Sequence, residues 1–97
     1  MSAAEQAQVF APTGELTMVS APAVLEEGRR LLRAGDLVVD FAAVTVADSA
    51  ALALLLDWMR SARATGNRMS VRNLPASMVS LAALYDIDSL LPQECAR

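Results

Sequence analysis

The apolar positions of this chain change period as it is read from end to end. Leu37-Val38-Val39 is a short unbroken run, suited to a strand covered on both faces, and it predicts a strand over 36–41. Arg68 to Leu74 alternates instead. Met69, Val71 and Leu74 oppose Arg68, Ser70, Arg72 and Asn73, as in a strand with one wetter face. A first strand is expected over 6–12 around Val9 and Phe10, with a turn at Thr13-Gly14-Glu15. Between these strands the spacing becomes helical. A first helix, opened by Thr17 or Ser20, carries Val24, Leu25, Leu31 and Leu32, runs to Arg33 and ends at Gly35. Thr45 to Ala47 reads as a connection to a second helix over 49–65, which Gly66-Asn67 terminates through a left-handed residue. Pro75 opens a third, over 77–85, and Leu90 and Leu91 dock in a short tail. Strand then helix, three times over, defines an α/β domain with parallel crossovers, a small sheet flanked by helices. Residues 1–97 read as a single domain with a disordered start at 1–5.

The second helix has more apolar sides than one sheet contact needs. Leu52, Leu55, Leu56 and Met59 form one stripe. Ala51, Leu54 and Trp58 form another, displaced around the helix. That second stripe packs on a neighbouring helix or meets another protein, where a tryptophan supplies a large desolvated contact.

Composition narrows the chemistry. The chain is 55% hydrophobic, above the usual range of about 45–50%, which favours some uncovered apolar surface and hence a partner. Its net charge of −3 argues against a nucleic-acid partner. All eight basic residues are arginine, and there is no histidine. A Ser-His-Asp triad, histidine metal ligation, a Schiff-base lysine and the lysine of a phosphate loop are thereby excluded. Cys95 is the only cysteine, so neither an internal disulfide nor a cysteine zinc site can form. Asp40, Asp48 and Glu15 are the remaining acid-base candidates, but acidic residues at strand ends are ordinarily caps or turn formers. No catalytic residue, metal or cofactor is expected. The longest apolar run, Ala50 to Leu56, is too short to span a bilayer, so no direct membrane insertion is expected either.

Asp48-Ser49 places a hydroxyl at a helix N-terminus, where backbone N–H groups lack intrahelical partners and the macrodipole is positive. One of the two caps the helix. The hydroxyl of Ser49 could equally take a phosphoryl group or touch a partner, and spacing alone leaves these open.

These segments together resemble the STAS domain family of sulphate transporters and anti-sigma factor antagonists. The matching pieces are Gly14-Glu15-Leu16-Thr17, Leu37-Val38-Val39-Asp40-Phe41, Val46-Ala47-Asp48-Ser49-Ala50-Ala51-Leu52-Ala53-Leu54-Leu55, and Gly66-Asn67 before Met69-Ser70-Val71. Leu52 to Leu56, and Leu81-Ala82-Ala83-Leu84-Tyr85 followed by Leu90-Leu91-Pro92, are similar to its MlaB-like branch, the small subunits of ABC transporters for outer-membrane lipid asymmetry. The resemblance implies a cytoplasmic, non-enzymatic subunit, held at the inner membrane by an ATPase partner. It implies a contact surface of Glu15, Thr17, Asp48, Ser49, Ala50, Ala51, Leu54 and Trp58. The alternative it implies is an anti-sigma factor antagonist, phosphorylated at Ser49 by an anti-sigma factor kinase. A glycine usual after the family's hydroxyl residue is replaced here by Ala50-Ala51, whose methyl groups hinder a kinase more than a docking partner.

Overall fold

Leu37–Asp40 (β3) is the middle of a three-stranded parallel sheet, between Gln8–Phe10 (β1) and Met69–Arg72 (β5). The computed structural model describes residues 8–87. Leu37, Val38 and Val39 are all buried, as their unbroken apolar run requires of a central strand. Phe10, Val39 and Val71 share one row of the register, and Leu37 and Met69 share another.

Each of the first two strands continues past a break into a second parallel ladder. Gly14–Leu16 (β2) pairs with Val44–Ala47 (β4). Pro12, which has no amide donor, lies in the first break. Gly14 enters β2 at φ +78°, beside a shift in register. These two segments differ from the sequence reading, which placed a turn at Thr13-Gly14-Glu15 and a connection at Thr45–Ala47. Both strands are only three or four residues long and are stabilised by pairing with each other. No local period betrays that pairing.

The helices are Ala21–Ala34 (α1), Ser49–Thr65 (α2) and Ala76–Leu84 (α3). Gly66 closes α2 in the left-handed region at φ +75°, with its N–H on the carbonyls of Ala62 and Arg63. The connections advance across the sheet in one direction, β1 to β3 to β5. Right-handed crossovers therefore put α1 and α2 side by side on one face. α3 packs against α2 and buries Met78 and Ala82. The tail residues Leu90, Leu91 and Cys95, and the predicted disordered start, lie outside the described residues.

The contact between α1 and α2 corrects the surface assignment of Ala51, Leu54 and Trp58. All three are buried, Trp58 at 0% exposure and Leu54 at 4%. The indole fills the space above Gly28, where the missing side chain admits it. Its Nε1–H donates to the Leu25 carbonyl at 3.1 Å, and its ring meets Phe10 edge-on, 6.1 Å between centroids. The second stripe of α2 is thus helix–helix core. In the first stripe Leu52 and Leu55 are buried, Met59 is half-buried and Leu56 is exposed, because the sheet covers less than the full width of the stripe. Arg29 joins the same two helices with a bidentate grip on Asp57, at 2.9 and 2.7 Å.

Candidate docking face

Both α1 and α2 begin where the β2–β4 ladder ends, so their N-termini lie at one pole of the molecule. Asp48 is the N-cap of α2. Its backbone is extended and its Oδ1 accepts from the Ala50 N–H at 2.8 Å. The cap is therefore supplied by Asp48, and Ser49 is released from that duty. Ser49 is exposed, and among the described residues no hydrogen bond engages its hydroxyl.

The turn between β2 and α1 forms the other half of the face. Ser20 precedes α1 but does not cap it in the usual way. Its Oγ accepts from the Thr17 N–H at 3.0 Å and donates to the Glu15 carbonyl at 2.8 Å. The helix starts with the Ala21 N–H on the Thr17 carbonyl, at 2.8 Å, and with proline in its first turn. A turn braced this way holds two apolar side chains outward: Met18 is 79% exposed and Val19 92%. Val46 of β4 adds a third exposed apolar group next to Glu15, with which it is in register.

Between the two helix starts runs a groove of about 410 Å³. Met18, Pro22 and Leu25 line one side and Ala50, Ala53 and Leu54 the other, with Asp57 at one end. Hydrogen bonds from Arg29 hold the Asp57 carboxyl below the usual carboxylate range.

Of the expected contact residues, Glu15, Thr17, Asp48, Ser49 and Ala50 lie together at this edge. Ala51 and Trp58 face the core, and Leu54 reaches only the groove floor. Met18, Val19 and Val46 were missed. The available signal was an apolar Met-Val pair inside an otherwise polar turn, where burial is not needed for folding. Asp40, an acid-base candidate, is engaged structurally. Its Oδ1 accepts from the Ala42 N–H and the Asn73 side-chain amide, each at 2.9 Å, pinning two loops together. Those hydrogen bonds, that from Asn73 foremost, lower its pKa. Among the described residues no cluster of three or more metal-ligating side chains occurs, and no helix is long and apolar enough to cross a membrane.

A small parallel sheet packed against three helices is a fold this chain shares with solved anti-sigma factor antagonists. SpoIIAA, an anti-sigma factor antagonist solved in its unphosphorylated form, is similar at TM-score 0.70 and 16% identity, over 90% of this chain and 78% of that one. A Thermotoga maritima protein described as a candidate anti-sigma factor antagonist is similar at TM-score 0.77 and 15% identity, over 91% of this chain and 78% of the other. At such identities the likeness is one of fold. No curated protein matches. The family model described as "Mlab, STAS domain" matches residues 1–92, and the chain belongs to that MlaB-like STAS family.

Proposed function

We propose that this protein is a non-enzymatic accessory subunit that binds the cytoplasmic ATPase of an ABC transporter for outer-membrane phospholipid asymmetry and supports its assembly and activity. The observation that carries the reading is the pole where Ser49, Met18, Val19 and Val46 stand exposed on firmly packed elements. Exposed apolar side chains held in place by a braced turn and a capped helix are what a protein partner uses. Membership of the MlaB-like family points to the ATPase as that partner. The protein would then lie at the inner membrane through the complex.

The test is co-expression with the cognate ATPase subunit and measurement of their affinity. Ser49→Trp puts a bulky ring in the middle of the face without touching the core, and it is expected to weaken binding by at least about tenfold. Undiminished affinity would count against the proposal.

A second reading, an anti-sigma factor antagonist, is favoured by the fold neighbours and by the exposed Ser49 hydroxyl. A phosphate on Ser49 would be welcomed by the positive end of α2 and would place a charge of about −2 on the same face. Incubation with an anti-sigma factor kinase and mass spectrometry decides it: an unmodified Ser49 removes this option.

A further inference from the structure

The groove beside Ser49 has a shape and a charge that specify what would fill it. Apart from Asp57 its lining is apolar, and three of the lining residues, Ala21, Ala50 and Ala53, are small enough to let a partner backbone come close. Its two walls are the N-terminal halves of helices that start at the same pole, so the matching solid is a third helix laid against them. Charge then selects among helices. Five acidic residues, Glu15, Glu26, Glu27, Asp48 and Asp57, lie in the segments that build this pole, and Arg29, Arg30 and Arg60 border them. Glu26 and Asp57 are taken up by Arg29, and Glu27 by Arg30. Glu15 and Asp48 are exposed and have no arginine partner among the described residues.

We propose that the groove receives an amphipathic helix of the partner protein, which inserts aliphatic side chains between Pro22 and Ala53 and sets Lys or Arg against Glu15 and Asp48. This rests on the docking reading above and adds the chemistry of the docked segment. Acyl chains would fit the apolar walls, but anionic headgroups would meet Glu15 and Asp48 at the rim. An acidic peptide would be repelled for the same reason.

Two measurements on the full chain with the cognate ATPase subunit test this. In the first, affinity is measured at about 50 mM and about 500 mM salt for the wild type and for the double variant Glu15→Gln, Asp48→Asn, in which the asparagine still caps α2. The double variant is expected to bind about three- to tenfold more weakly at low salt and nearly as well as the wild type at high salt. In the second, a benzophenone side chain replaces Ala53, an exposed position, and the crosslinked peptide is sequenced. The expected peptide has aliphatic residues at helical spacing flanked by Lys or Arg. The fold of both variants is checked through the fluorescence of Trp58, the only tryptophan. If the wild type binds the ATPase but the charge variant binds equally at both salt levels, this inference fails while the docking reading stands. A crosslink to an acidic segment, to a second copy of this chain or to no protein at all also overturns it. If the wild type does not bind the ATPase, both readings fall.

Discussion

Gly28→Ala should destabilise this protein, although the same change in an exposed helix would stabilise it. Alanine gains about 1 kcal/mol over glycine in a helix interior. At this position an added Cβ would fall inside contact distance of Cε2, Nε1 and Cζ2 of Trp58. These are ring atoms of a wholly buried side chain, which has little freedom to retreat. The indole is held by its hydrogen bond to the Leu25 carbonyl and by the edge contact with Phe10. Overpacking of this kind costs about 1–3 kcal/mol, and loss of the indole hydrogen bond about 1 more. After the helical gain, the net loss is about 1–3 kcal/mol, or a fall in Tm of roughly 5–20 °C for a domain of this size. Denaturant unfolding followed by Trp58 emission measures it, and the native emission should also move. The pair Gly28→Ala, Trp58→Phe should lose less than the sum of the single changes, because the smaller ring leaves room for the methyl group. A Gly28→Ala variant as stable as the wild type, with unchanged emission, would refute the packing argument. It would also loosen the account of the groove, whose width is set by how closely α1 and α2 approach.

Asp48→Ala should cost about 1 kcal/mol while Asp48→Asn costs much less, since the amide oxygen can still accept the Ala50 N–H; chemical denaturation separates the two. Gly66→Ala should cost about 1 kcal/mol by the same assay, because φ +75° is a left-handed conformation that a Cβ disfavours. Arg29 holds Asp57 below its unfolded pKa, so the stabilisation is complete above that value and is lost as pH falls through the lower, folded one. Between about pH 5 and about pH 2 the wild type should therefore lose more stability than Asp57→Asn, as read by urea unfolding at each pH.

What the residues could and could not reveal follows from the range of the forces involved. The central strand, the span of α2 and its glycine stop depend on neighbours in sequence, and Leu37-Val38-Val39, the Asp48-Ser49 pair and Gly66 declared them. The β2–β4 ladder depends on residues about thirty apart and only three or four long, so Val44–Ala47 looked like a connection. Trp58 shows the same limit at the site. Its stripe was visible, but whether it faced a partner or a helix turned on Gly28, a residue with no side chain to signal the contact. The Asp48-Ser49 pair marked the start of α2 because helix caps are local, but which of the two caps it was settled only by the Asp48 Oδ1 contact with the Ala50 N–H. The outward Met18 and Val19 depend on the Ser20 brace, which no periodicity marks.

The central claim is that the pole carrying Ser49 is where the transporter ATPase docks. Hydrogen–deuterium exchange of the full chain, alone and with the ATPase, addresses it directly. Binding should protect the β2–α1 turn, 17–21, and the first turn of α2, 48–53, with little change in β5. Protection confined to β5 or to the exposed Leu84 and Tyr85 at the end of α3, with the Ser49 pole exchanging as before, would contradict it.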